Sequence, residues 1–216
     1  MKKFRFISAM MVCVAAMFLS TACASVDKAD EMSQGNPVTV VVSQDFPHYK
    51  SIDSLAERAD AIIKGKVVNT RVEAINDRVI SESTNEELNP GGNPPVEKNI
   101  YTIYTIEIEE AYKGNYKPGD TLDFKELGGT VGNTTFVAEE KVDISNEYDY
   151  IFFLATYDNT PASLLNSIQS LYIYGSVNES GVNSKKAAPA TLTSAHPEND
   201  LILNLDDLKE IKNKYK

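Results

Sequence analysis

The chain has two cysteines, two histidines and no tryptophan in 216 residues, and its longest apolar run, Ile7 to Leu19, covers only 13 positions. Each shortage excludes something. That run is too short to span a bilayer about 30 Å thick as a stable helix. His48 and His196 lie far apart, each beside a proline, and no His/Cys spacing of a zinc site exists, so no metal is expected. There is no Gly-x-Ser-x-Gly elbow, and Gly128-Gly129-Thr130-Val131-Gly132 lacks the Lys-Ser/Thr of a phosphate loop. No catalytic residue and no cofactor are therefore expected. Acidic groups at Glu82/Glu86/Glu87, Glu139/Glu140/Asp143 and Asp206/Asp207 miss the calcium-loop spacing and read as solvated surface. With 31 acidic against 21 basic side chains, the net charge is −10, which argues against a nucleic-acid partner. No internal repeat is present. A hydrophobic content of 42 % with scattered Gly and Pro is that of a globular domain.

The amino terminus carries the plainest signal. Lys2, Lys3 and Arg5 precede the apolar run, and the small residues Ser20, Thr21, Ala22, Cys23 and Ala24 follow it, the three-part pattern of a secretory signal. Removing residues 1–22 takes three basic groups and no acid, moving the net charge from −10 to −13. Two cleavages compete. Leu19-Ser20-Thr21-Ala22-Cys23 resembles a bacterial lipobox, with Ser20 where that motif usually has Leu; Cys23 would then take a thioether-linked diacylglyceryl group. The rival is an A-x-A cut after Ala24, which would secrete a protein with no cysteine. The leftover cysteine favours lipidation, because a lone thiol in an oxidising compartment needs a reason. Two acyl chains also suffice for stable anchoring. On either reading a structural disulfide is excluded.

Periodicity lays out the mature chain as a lipid anchor and flexible tether (23–37), a β-rich domain (38–178), and a loop with a C-terminal helix packing on or beside it (179–216). Val38–Val42 is β-prone and follows Pro37, as an edge strand would. A short helix over 51–59 has Ser51 or Asp53 as its cap. A strand from Ala61 to Val68 continues through Val72 to Val79-Ile80, with a bulge or bend at Gly65. Residues 81–98 form a long polar loop.

Ile100 to Tyr112 is the clearest strand, with Thr102, Tyr104, Ile106 and Ile108 on one face and Tyr101, Ile103, Thr105, Glu107 and Glu109 on the other. The second face turns acidic, so the strand is expected to leave the core at its far end. After the turn Lys117-Pro118-Gly119-Asp120 comes a strand that sets Leu122, Phe124 and Glu126 against Thr121, Asp123 and Lys125. Tyr148–Leu154 reads as a strand covered on both faces, and Leu171–Val177 as the last strand. Residues 178–200 read as loop. Asn204 caps a terminal helix with acids in its first turn and lysines in its last. Five substantial strands, long loops and two short helices predict a mainly β fold, a five-stranded OB-fold-like barrel.

Ala59–Val68, Tyr104–Gly114, Gly119-Asp120-Thr121-Leu122 and Tyr150–Leu154 together resemble bacterial exported proteins and lipoproteins of unknown function with an OB-fold or netrin-like barrel. More distantly they resemble the N-terminal domain of the tissue inhibitors of metalloproteinases. The resemblance covers somewhat under half the chain and implies fold more than function. The inhibitors' disulfide-pinned N-terminal cysteine has no counterpart here. In an OB-fold the strand 2–3 face and two loops meet ligands. That places a candidate ligand face at Tyr101, Ile103 and Phe124, beside loops 81–98 and 155–170; the alternative is that these aromatics fill the core. The expected protein is exported and lipid-anchored in the cell envelope, with the membrane and an unknown envelope or extracellular ligand as partners and a non-catalytic binding role. The alternative is a secreted or surface-attached hydrolytic enzyme.

Overall fold

A computed structural model describes residues 36–77, 83, 85–90, 98–175 and 191–215. The signal segment, Cys23 and the tether up to residue 35 lie outside the described residues, as does most of the loop 81–98.

The described chain runs β1 (Val38–Val42), α1 (Ile52–Arg58), β2 (Ala61–Ile75), β3 (Asn99–Lys113), β4 (Thr121–Leu127), β5 (Gly129–Val131), β6 (Thr134–Ala138), β7 (Asp149–Ala155), β8 (Ala162–Leu164), β9 (Leu171–Tyr174), β10 (Leu192–Ser194) and α2 (Leu205–Lys214). It is mainly β. In the larger sheet, in the order β10-β9-β7-β2-β3-β4-β8, β8 also pairs with β7, so β2, β3, β4, β8 and β7 close a ring. All ring pairs are antiparallel except β4–β8. β1 lies outside the ring. It pairs in parallel with β6 at one edge of a three-stranded sheet, completed by the β5–β6 hairpin, whose turn uses Gly132 at φ 58°.

Side-chain alternation sorts the core into three clusters. Inside the ring, Tyr104, Phe124, Phe152 and Tyr150 form a chain of ring contacts, Tyr104 and Phe124 stacked with centroids 4.9 Å apart. The opposite face of β7 puts Ile151 and Phe153 under Leu55 of α1 and Leu208 and Ile211 of α2. β7 is thus buried on both sides, as its unbroken apolar run implies. The third cluster, Tyr101, Ile103 and Leu127, is covered by Val42 of β1 and by Phe136 and Ala138 of β6.

Both helices start on a capping side chain. Ser51 Oγ accepts from the Ser54 N–H, and Asn204 Oδ1 accepts from the N–H groups of Asp206 and Asp207.

Three expectations need correction. β3 does not leave the core at its far end. The β2–β3 register slips at Glu109, which reverses parity and turns Tyr112 beneath the helices, and slips again at Tyr112 itself. Within the stretch 178–200, Leu192–Ser194 is a strand paired with β9. β5, β6 and β8 were not foreseen; strands of three to five residues rich in Gly, Thr and Ser carry too few positions to show a period. The expected continuation of β2 to Val79-Ile80 lies outside the described residues, β2 ending at Ile75.

Gly65 sits at one of these slips. A Cβ there would stand 2.5 Å from the Glu107 carbonyl oxygen and 2.6 Å from Ile106 Cγ2, so β2 and β3 approach at a distance only glycine allows. Gly65→Ala is expected to destabilise the fold by about 2 kcal/mol, the usual scale of overpacking. A shift of the urea midpoint equivalent to less than about 0.5 kcal/mol would show that the ladder yields freely.

Candidate functional site

Strand register carries Tyr101 of β3 and Lys125 and Leu127 of β4 onto the same face, since Ile103 pairs with Lys125 and Tyr101 with Leu127. Asp77, just past β2, and Tyr157 and Thr160, between β7 and β8, close over them. The result is a cavity of about 310 Å³ whose further walls include Gln44, Phe46, Glu126, Glu140, Leu164 and Ser167.

Lys125 is 8 % exposed. Its Nζ donates to Asp77 Oδ2 (3.1 Å) and Thr160 Oγ1 (3.3 Å), and it lies 5.0 Å from the Tyr101 ring centroid and 5.3 Å from that of Tyr157. The Tyr101 hydroxyl also donates to Asp77, at 2.5 Å. Burial acts to raise the Asp77 carboxyl, but the Tyr101 hydroxyl and the Lys125 ammonium outweigh it and hold its pKa below the usual carboxylate range. For Tyr101, burial and the neighbouring Asp77 both push the phenol upward. Asp77 and Lys125 therefore neutralise each other.

Glu126, the next residue, points to the other face of β4, toward the ring's end. It accepts from the Tyr104 hydroxyl and the Val142 N–H, each at 3.3 Å, with Lys141 Nζ at 3.8 Å. Burial dominates and pushes its carboxyl up to about 7. Ser167 is 5 % exposed, and its Oγ is buried with no hydrogen-bond partner among the described residues.

A second cavity of about 340 Å³ shares Gln44, Phe46 and Glu140 with the first. Its floor is a polar knot around Gln169, 2 % exposed. Gln169 Oε1 accepts from the Tyr49 N–H (2.9 Å) and from Asn166 Nδ2 (3.1 Å), while Nε2 faces the Tyr49 carbonyl (3.0 Å), Asp200 Oδ1 (2.8 Å) and His48 Nδ1 (3.1 Å). His48 Nε2 lies 3.2 Å from Asp200. The knot joins the segment after β1, the turn after β8 and the approach to α2.

Of the candidate ligand face, Tyr101 lines the first cavity, Ile103 is fully buried under the smaller sheet, and Phe124 is fully buried in the ring interior, where it packs as core. The segment 155–170 supplies Tyr157, Thr160, Ser163, Leu164 and Ser167 to the same cavity. Lys125, Glu126, Asp77 and Ser167 were not singled out as site residues from the sequence. Glu126 had a legible signal, being the one carboxylate on the apolar face of its strand. Among the described residues, no three His, Cys, Asp or Glu side chains converge as metal ligands, and no helix is long and apolar enough to cross a membrane. No protein-family model matches the chain, and no curated protein is significantly similar to it.

Proposed function

We propose that this protein is exported, held to the outer face of the cell membrane (or to the outer membrane where the cell has two) by a lipid on Cys23, and binds a small ligand non-catalytically in the Lys125 cavity. On this reading the five-strand ring is an OB-fold-like barrel. Numbered along the chain, its strands close in the order 1-2-3-5-4-1 with the single parallel pair between the third and fifth, a Greek-key closure that suits that fold.

The observation that carries the binding role is the position of the cavity. Its walls come from ring strands 2 and 3 (Tyr101, Lys125, Leu127), from Asp77 in the connection between strands 1 and 2, and from Tyr157 and Thr160 in the connection between strands 4 and 5. Those are the surfaces with which such barrels meet ligands. Anchoring is supported by the basic, apolar and small-residue order of residues 1–24 and by the leftover Cys23.

Detergent partitioning and intact mass of protein from its own cells test the anchor. Wild type is expected in the detergent phase, beginning at Cys23 with diacylglyceryl mass, and Cys23→Ser in the aqueous phase. A wild-type aqueous protein beginning at Ser25 would replace the anchor with free secretion.

A further inference from the structure

We infer that β1 is a docking edge for a second copy of this chain, the two β1 strands pairing antiparallel about a two-fold axis at Val40 and joining two three-stranded sheets into one. The inference adds a partner to the function proposed above and draws on the Cys23 tether only for the strength of the pairing.

Hydrogen-bond direction comes first. β1 is the outer strand of the order β1-β6-β5. The Val38 N–H donates to the Asn133 carbonyl, and the Val42 carbonyl accepts from the Glu139 N–H. In this parallel register Val38, Val40 and Val42 turn their backbone groups toward β6, and Thr39 and Val41 turn theirs away from it. Among the described residues no other strand meets that outer edge. An antiparallel copy centred on Val40 sets Thr39 of one chain opposite Val41 of the other. Each such facing pair exchanges both of its N–H···O bonds, so every outward group of Thr39 and Val41 finds a partner. A slide toward the amino end would set Pro37, which has no N–H, against Val41 and lose a bond.

Charge points to the same occupant. The three strands of this sheet hold no charged side chain, in a chain of net charge −10. Two strongly acidic copies repel each other, and a neutral edge is where they can meet at least cost. Val41 and Val137, neighbours on the outer face, are 62 % and 44 % exposed. β1 thus lacks the charges with which edge strands commonly fend off pairing.

The seam is only five residues long, and the tether supplies what a short seam needs. The stretch from Cys23 to β1 has a coil reach of about 20 Å, so anchored copies share a thin layer at high effective concentration.

Disulfide trapping in the cells that make the protein tests this. Either cleavage proposed for residues 1–24 leaves no free native thiol in the exported chain, so an introduced cysteine stands alone. Val40→Cys sets two thiols across the axis, where facing Cα atoms lie about 4.5 Å apart, within disulfide reach. It is expected to give at least about tenfold more covalent dimer than Thr39→Cys or Val41→Cys alone, each of which faces an unsubstituted residue. Thr39→Cys and Val41→Cys chains made in one cell should link to each other, a readout that stands even if Val40→Cys folds poorly. Val41→Lys added to Val40→Cys should cut the dimer about fivefold or more at an unchanged melting temperature, because it charges an exposed edge position. Dimer at all three single positions alike would mean chance collision, and no dimer from Val40→Cys or the mixed pair would mean an unpaired β1. Either result overturns the inference. Detergent partitioning reads the anchor separately: dimer from an aqueous protein keeps the pairing and removes the tether, and monomer in the detergent phase does the reverse.

Discussion

Gln169→Ala is expected to lower the stability of the domain by about 3–4 kcal/mol, read as a drop in urea midpoint at unchanged slope. The side chain is almost wholly buried and engages three chain segments, at Tyr49, Asn166 and Asp200. Removing it strands the Tyr49 N–H and one Asn166 proton, deprives Asp200 of a donor, and leaves a void. Each orphaned buried group costs about 1–3 kcal/mol, and side chains this enclosed relax poorly. Gln169→Glu should be nearly as damaging, because it keeps an acceptor for Tyr49 but sets a carboxylate against Asp200 and loses both donated protons. If alanine cost under about 1 kcal/mol, the segments at 47–49, 166–170 and 200 would be held by apolar packing alone.

Glu126 makes stability depend on pH with an inverted sign. Its carboxyl is raised from an ordinary 4.5 to about 7 in the folded state, so the folded chain holds this proton more tightly than the unfolded one. The stabilising contribution is complete below about 4.5 and is lost as pH rises through about 7. Across that window it amounts to about 3 kcal/mol. Glu126→Gln matches the protonated acid in shape: its Oε1 can accept from the Val142 N–H while its Nε2 donates to the Tyr104 hydroxyl oxygen. The variant should equal wild type near pH 5 and exceed it by about 2–3 kcal/mol near pH 8.5, and the difference between the two is the quantity to plot. Asp77, Glu110 and Asp123, all depressed, pull the other way and cancel in that difference. A gap that stays constant from pH 5 to 8.5 would mean that Glu126 is solvated in solution.

The parts of the fold that were legible are those where one residue type repeats at one spacing. β3, β4 and β7 announced themselves by alternation or by an unbroken apolar run, and Ser51 and Asn204 as caps by their place before helical spacing. The three-stranded sheet was not legible, because its partner strands, Val38–Val42 and Thr134–Ala138, are short and distant in sequence. That omission left both readings of the Tyr101 and Ile103 face open, ligand surface or core, where the structure has Val42, Phe136 and Ala138 close most of it. Phe124 was placed with them by residue type alone, while its register opposite Tyr104 sends it to the interior. Tyr101 stays at the cavity because it lies at the end of β3 nearest Asp77. Lys125 and Ser167 carry no sequence signal of their own; one is a lysine in an alternating strand, the other a serine in a turn, and only ring closure brings them to a common wall.

That closure also fixes the order in which the protein can become itself. Val38 pairs with Thr134 and Ala61 with Leu154, and the last seam forms only when β8, at Ala162–Leu164, reaches both β4 and β7. A nascent chain emerging from its amino end has nothing to pair β1 with until Thr134–Ala138 is out, no partner for the outer edge of β2 until β7 at Asp149–Ala155, and no closing seam until β8 at Ala162–Leu164. Contacts of such long range form late and slowly. Under the export proposed above, such a topology would keep the polypeptide threadable through a narrow passage and postpone its solidity until the far side.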